Sequence, residues 1–174
     1  IISDYAVGGN VIIGKSQGGG ESNKWQWSIN NESMCFASAI SSGFTLYQVC
    51  SDVVNFDLNK LHHVAVSKNN QNEIEFYHDG NSIGGGTLAQ GPVLFEETLS
   101  IGWGGEGVKY FNGFIDDLKF YEVELSPEEI QLGNIEEGVI AHWMMNENEG
   151  VTVFDHSGNQ NHAQLGCVEY IEGI

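Results

Sequence analysis

The chain has 174 residues, 41% of them hydrophobic and only two of them proline, so it can bury a sizeable core and lacks the composition of a disordered segment. Its 24 acidic residues against 6 basic ones give a formal charge of -18, which repels phosphate backbones and anionic membranes, excludes nucleic acid as a partner and attracts divalent cations. No apolar run approaches the ~20 residues that span a bilayer as a helix, so membrane insertion is not expected. The sequence opens on Ile1 rather than Met and carries no signal-peptide pattern, as expected of a mature or excised fragment.

In chain order, short apolar or alternating runs separated by Gly, Asn, Asp and Ser read as β-strands. They fall at 3–7 (SDYAV), 10–16 (NVIIGKS), 25–29 (WQWSI), 33–39 (SMCFASA) and 44–50 (FTLYQVC). They continue at 62–68 (HHVAVSK), 73–79 (EIEFYHD), 99–103 (LSIGW), 113–121 (GFIDDLKFY), 139–145 (VIAHWMM) and 151–155 (VTVFD). Asn-rich "SKNNQNEIEF" and Asp-Gly in "YHDGNSI" are hairpin signals. One helix interrupts the pattern at "LSPEEIQLGN". Ser126 is the expected N-cap, Pro127 the first helical residue, Glu129 the capping-box partner and Gly133 the stop. The fold class is therefore all-β, an antiparallel β-sandwich or jelly roll with one short helix.

Cys35 and Cys50 flank "SSG". A two-residue turn at Ser42 and Gly43 makes positions whose numbers sum to 85 face each other, which sets the two cysteines opposite with Cβ atoms ~4.5–5.5 Å apart. A disulfide is feasible there, the alternative being two reduced, semi-buried thiols. Cys167 has no evident partner.

Three stretches resemble laminin-G-like, concanavalin A-like modules. "LHHVAVSKNNQNEIEFYHDGNSIGGG" is similar to a hairpin of that family, with Leu61 in place of its usual Trp. "LSIGWGGEGVKYFNGFIDDLKFYEVELSPEEIQ" is similar to the family's ending, and "GVIAHWMMNENEGVTVFDHSGNQNHAQLG" to its opening. The order is inverted, since the opening motif follows the ending. A single sandwich over 1–174 is expected, with 139–174 supplying the family's N-terminal strands by circular permutation or strand exchange. A slice across a tandem array is the competing explanation. Trp143 is expected in the core.

On a regular strand Asp116 would share an apolar face with Leu118 and Phe120, and a buried carboxylate needs a partner. Asp155 opens a Gly- and Asn-rich turn whose oxygens suit Ca²⁺. The resemblance implies that Asp116, Asp155, Asn159 and Asn161 lie together around a structural calcium. The alternative is an Asx-type cap at Asp155, with Asp116 bonded to a histidine such as His63. His156 and His162 lack the companions of a zinc motif.

Trp25, Trp27, Trp103 and Tyr110 are candidate sugar-stacking aromatics near Gly-rich sequence, with Asn112 reading hydroxyls; core packing is the alternative for the tryptophans. Glu73 and Glu75 begin the "ExDxxE" pattern of related glucanases, but His78 stands at the third position, so the acid–base pair is incomplete. No GxSxG or phosphate loop is present. The expected function is that of a non-catalytic, secreted or cell-surface module that binds a glycan or glycoprotein. The alternatives are a structural repeat of an adhesin or filament, linked to a second copy or a neighbouring repeat by strand exchange, and, behind it, a glycoside hydrolase.

Overall fold

The computed structural model describes residues 10–16, 23–40, 45–57, 60–104 and 110–166. The chain divides into two compact units, residues 1–114 and 115–174. The strand expected at 3–7, the turn at Ser42 and Gly43, and Cys167 lie outside the described residues.

The first unit is built from eight described strands. They are β1 (Asn10–Ser16), β2 (Lys24–Asn30), β3 (Ser33–Ala39), β4 (Leu46–Cys50), β5 (Val64–Lys68), β6 (Glu73–His78), β7 (Asn81–Thr87) and β8 (Leu99–Ile101). One sheet has the order β4-β3-β2-β1-β8 and another the order β5-β6-β7. Every pairing among these described strands is antiparallel. The expected all-β antiparallel class holds.

Local chemistry explains the hairpins. Asn31 and Glu32 both take positive φ between β2 and β3, and Asp79 and Gly80 do so between β6 and β7. Two left-handed residues make a type I′ turn, whose twist matches that of the strands it joins. Between β5 and β6 the Asn69 side chain accepts the amides of Gln71 and Glu73, each at 2.9 Å.

Cys35 pairs with Cys50, Phe36 with Val49, Ala37 with Gln48, Ser38 with Tyr47 and Ala39 with Leu46. That is the register expected from the sum of 85, and the two sulfurs are bonded. The core of this unit gathers Val11, Ile13, Trp27, Ile29, Met34 and Phe36 from the larger sheet, with Ile74 and Phe76 from the smaller. The sheets meet where the Asp52 amide donates to the Ile83 carbonyl at 2.9 Å and Val49 lies against Gly86.

The second unit holds β9 (Leu118–Tyr121), α1 (Pro127–Leu132), β10 (Val139–Trp143), β11 (Thr152–Val153) and β12 (Ala163–Gln164). The capping box at Ser126 and Glu129 is complete, and Gly133 ends the helix in the left-handed conformation at φ 70°. β9 pairs antiparallel with β10, and β11 with β12. Trp143 is buried, as expected, and its indole N–H donates to the Asn161 carbonyl at 2.8 Å.

The run 113–121 was expected to be one continuous strand, but β9 begins only at Leu118. Asp117 takes φ 48°, which breaks the alternation just before the strand. Asp116 consequently does not join the apolar face: it is exposed, and its carboxylate accepts the Asp117 amide at 3.1 Å.

Candidate functional site

The Gly-rich stretch after β8 carries the most exposed aromatic group among the expected sugar contacts. The Gly102 amide donates to the Ile12 carbonyl and its own carbonyl accepts from Phe111, both at 2.8 Å. An antiparallel bridge then sets Trp103 opposite Tyr110. Their ring centroids are 6.1 Å apart with an interplanar angle of 15°. This is an offset stack, a favourable arrangement for two ring quadrupoles. Trp103 is half-buried and backs the pair, whereas Tyr110 is 53% exposed. Two residues on, the exposed Asn112 is fixed by its backbone amide, which donates to Oδ1 of the fully buried Asn10 at 3.0 Å.

The two tryptophans of β2 separate. Trp25 is half-buried and stacks on Phe36 at 6.0 Å and 16°. Trp27 is only 5% exposed and forms part of the core opposite Ile13 and Phe36. Its ring has no free face for a sugar, which removes it from the expected contacts.

Asp155 lies at the centre of the second unit's loop network. Its Oδ1 accepts the His142 amide at 2.9 Å and the Ser157 amide at 2.8 Å. Its Oδ2 accepts the Ser157 hydroxyl and the Asn161 amide, both at 2.9 Å. Burial disfavours the charged form, but these amide and hydroxyl donors outweigh it and lower the carboxyl pKa from 3.8 to about 2. Asn159 and Asn161 turn back onto β10: the Asn159 amide donates to the Val139 carbonyl at 3.2 Å and the Asn161 amide to the Ile140 carbonyl at 2.7 Å.

Asp155 and Asn161 are thus hydrogen-bonded to each other, and Asn159 reaches the same network through the Ser157 hydroxyl. Both Asp155 oxygens are occupied by protein donors, while Asn159 and Asn161 donate through Nδ2 to β10 carbonyls and keep their Oδ1 atoms as acceptors. This arrangement is that of an Asx-type cap at Asp155. Next to the exposed Asp116, the Asp117 carboxylate pairs with His142 Nε2 at 2.6 Å. His63 is exposed.

On β6, Glu73 is exposed and Glu75 is bonded to the Ser82 hydroxyl. His78, at the third position of the glucanase-like spacing, is engaged elsewhere, with His62 and Asp79. Burial lowers the His78 pKa from its usual value, more than the neighbouring Asp79 raises it. No contiguous motif announces this cluster. The signal lies in register, because Val64 pairs with His78 and so brings the residues before β5 beside the turn after β6.

A laminin-G family model, described as the concanavalin A-like lectin/glucanases superfamily, matches residues 3–131. Among solved structures, a candidate carbohydrate-binding protein from Bacteroides ovatus aligns with 95% of this chain and 50% of its own, at 18% identity and a TM-score of 0.63. An S-layer domain-containing protein (residues 221–444) from Clostridium thermocellum aligns with 76% of this chain and 65% of its own, at 18% identity and a TM-score of 0.33. The chain thus spans half the length of the Bacteroides structure. No curated protein matches the chain.

Proposed function

Because the chain belongs to the concanavalin A-like lectin/glucanases superfamily, we propose that it is a non-catalytic carbohydrate-binding module, secreted or displayed at a cell surface. The observation that carries this reading is the Trp103–Tyr110 stack, with the outer ring 53% exposed. A tyrosine held against a second ring has lost its rotamer freedom before a ligand arrives, so it presents a flat apolar face at little entropic cost. Pyranose rings offer matching C–H faces, and Asn112 provides an amide for hydroxyls. The half-buried Trp25 is a secondary contact.

The description of the Bacteroides structure agrees with this reading. Fold alone does not give function, and the superfamily includes glucanases. A binding rather than hydrolytic role is favoured by His78, which replaces the third acid of the glucanase-like spacing and is committed to His62 and Asp79. No helix among the described residues is long and apolar enough to cross a membrane.

A glycan array followed by calorimetry on the best ligand tests the proposal. Tyr110→Ala is expected to weaken binding at least about tenfold, some 1.4 kcal/mol, with the melting temperature unchanged. A wild-type chain that binds no glycan, or a variant that binds equally well, would overturn it.

A second reading concerns the tail. The strand of the family's opening motif, β10, pairs with the strand of its closing motif, β9. We infer that 139–174 supplies the opening strands of a sandwich, its own or that of a neighbouring copy. A mass independent of concentration selects closure within one chain. Concentration-dependent dimers or longer assemblies select exchange, and with it a structural role in an adhesin or filament.

A further inference from the structure

Beside the β6–β7 turn, three metal-ligating atoms converge. His62 Nδ1 lies 3.1 Å from Asp79 Oδ2 and 3.0 Å from His78 Nε2, and His78 Nε2 lies 3.3 Å from the same carboxylate oxygen. Among the described residues this is the one group of His, Cys, Asp or Glu side chains whose ligand atoms meet so closely. We propose that His62, His78 and Asp79 form a binding site for one divalent late-transition cation of the zinc class. The proposal is independent of the carbohydrate reading.

The geometry carries it. His62 Nε2 lies 3.1 Å from the Asp57 carbonyl, which can only accept, so that nitrogen bears a hydrogen. The ring's other nitrogen, Nδ1, is thereby the one turned towards Asp79 Oδ2 and His78 Nε2. Three atoms that can each offer a lone pair to a cation share one small space. An ion at their centre would be held by all three.

The dimensions agree. A tetrahedral ion about 2.0–2.1 Å from each ligand keeps its ligands about 3.3 Å apart. The three observed separations need to open by a few tenths of an ångström at most. Three protein ligands leave a fourth position for water or an exogenous group.

The surroundings are those of a prepared site. Metal-binding imidazoles commonly donate their other nitrogen to a backbone carbonyl, as His62 does to Asp57. Asp79 is aimed by its other oxygen, Oδ1, which accepts the His63 amide at 2.9 Å, while its own amide donates to the His63 carbonyl at 2.8 Å. The buried Phe56 packs edge-on against both imidazoles, with centroids 5.7 and 5.0 Å away. The rings are thus oriented before any ion arrives. Two imidazoles and a single carboxylate favour a zinc-class ion over calcium, which takes 6–8 oxygens.

The test is a titration of EDTA-stripped, dialysed protein with Co²⁺, followed by its visible d–d bands, and with Zn²⁺ by calorimetry. The expected result is one equivalent per chain, the intense spectrum of tetrahedral cobalt and a Kd below about 1 µM. His78→Gln and Asp79→Asn are expected to weaken uptake at least about 100-fold. Asn tolerates the positive φ of position 79, so the turn survives the second change. Zn²⁺ should raise the melting temperature of the wild type and of neither variant, and Ca²⁺ should raise none. Absence of a saturable cobalt spectrum in the wild type would mean that the three side chains hold no ion, and the proposal falls. Uptake unchanged in both variants would place the ion at His142, His156 or His162 and also overturn it.

Discussion

Asp155 is the residue whose removal the second unit should feel most. Its four donors come from β10 and from the following turn, so one carboxylate ties both together. Asp155→Asn replaces one acceptor oxygen by a donor and sets it against N–H groups that already point inward. Unsatisfied buried donors cost about 1–3 kcal/mol each, and urea unfolding is expected to register a loss of about 2–3 kcal/mol. The folded carboxyl has its pKa depressed to about 2 from 3.8. A depressed carboxyl contributes stability that is fully present above the unfolded value and is lost as pH falls through the folded one. On the order of 1–2 kcal/mol should therefore disappear between about pH 4 and pH 2 in the wild type and not in Asp155→Asn. Unfolding midpoints across that window in the two proteins check it. The special status of Asp155 is legible in the sequence because its turn is rich in Gly and Asn. Its hydrogen-bond partners are not, since the same residue types serve a cation or a ring of amides, and spacing alone does not say which amides point at the carboxylate. Asp116 was misplaced for a backbone reason: one left-handed residue, Asp117, defeats the two-residue alternation on which its assignment rested.

At the scale of elements, the β3–β4 pair was readable in detail because turn length alone sets register, and register alone set Cys35 against Cys50. The disulfide closes a 15-residue separation. In the chain-entropy account a loop of that size is worth about 3 kcal/mol. Reduction with a thiol should lower the melting temperature, and Cys35→Ser together with Cys50→Ser should reproduce the drop with no further effect of reductant. The β6–β7 pair offers a sharper test. A Cβ on Gly85 would sit 1.9 Å from the Ile74 carbonyl oxygen and 2.9 Å from the Glu75 Cα, both backbone atoms that cannot swing away. Gly85→Ala should break this pairing, while Gly86→Ala meets only Val49 methyl carbons at 3.4 Å or beyond and should be tolerated. Amide exchange across β6 reads the difference. The helix was equally legible, since its cap, first residue and stop each have a side-chain cause. β12, two residues long, has no periodicity to read and exists because β11 pairs with it.

For the whole molecule, motif content was legible and motif order was the anomaly. The superfamily match ends at residue 131, before the stretch that resembles the family's opening. Composition bears on the molecule as a whole in another way. A charge of -18 on 174 residues means that folding brings like charges closer together at neutral pH. Salt shortens the Debye length from about 30 Å at 0.01 M to about 10 Å at 0.1 M, so screening should relieve that repulsion. The melting temperature at pH 7 is expected to rise by several degrees between low salt and 0.5 M NaCl. Sodium must be the cation, because a divalent ion would also report on the His62–His78–Asp79 cluster. The response should shrink towards pH 4.3, the sequence isoelectric point, where the net charge vanishes. That pH still lies above the window in which Asp155 is protonated, so the loss of the salt effect and the loss of the cap occur at separate acidities. Scanning calorimetry on a grid of pH and NaCl resolves both. A melting temperature indifferent to NaCl at pH 7 would mean that the acids are spaced widely enough, or paired well enough with the six bases, to cost nothing.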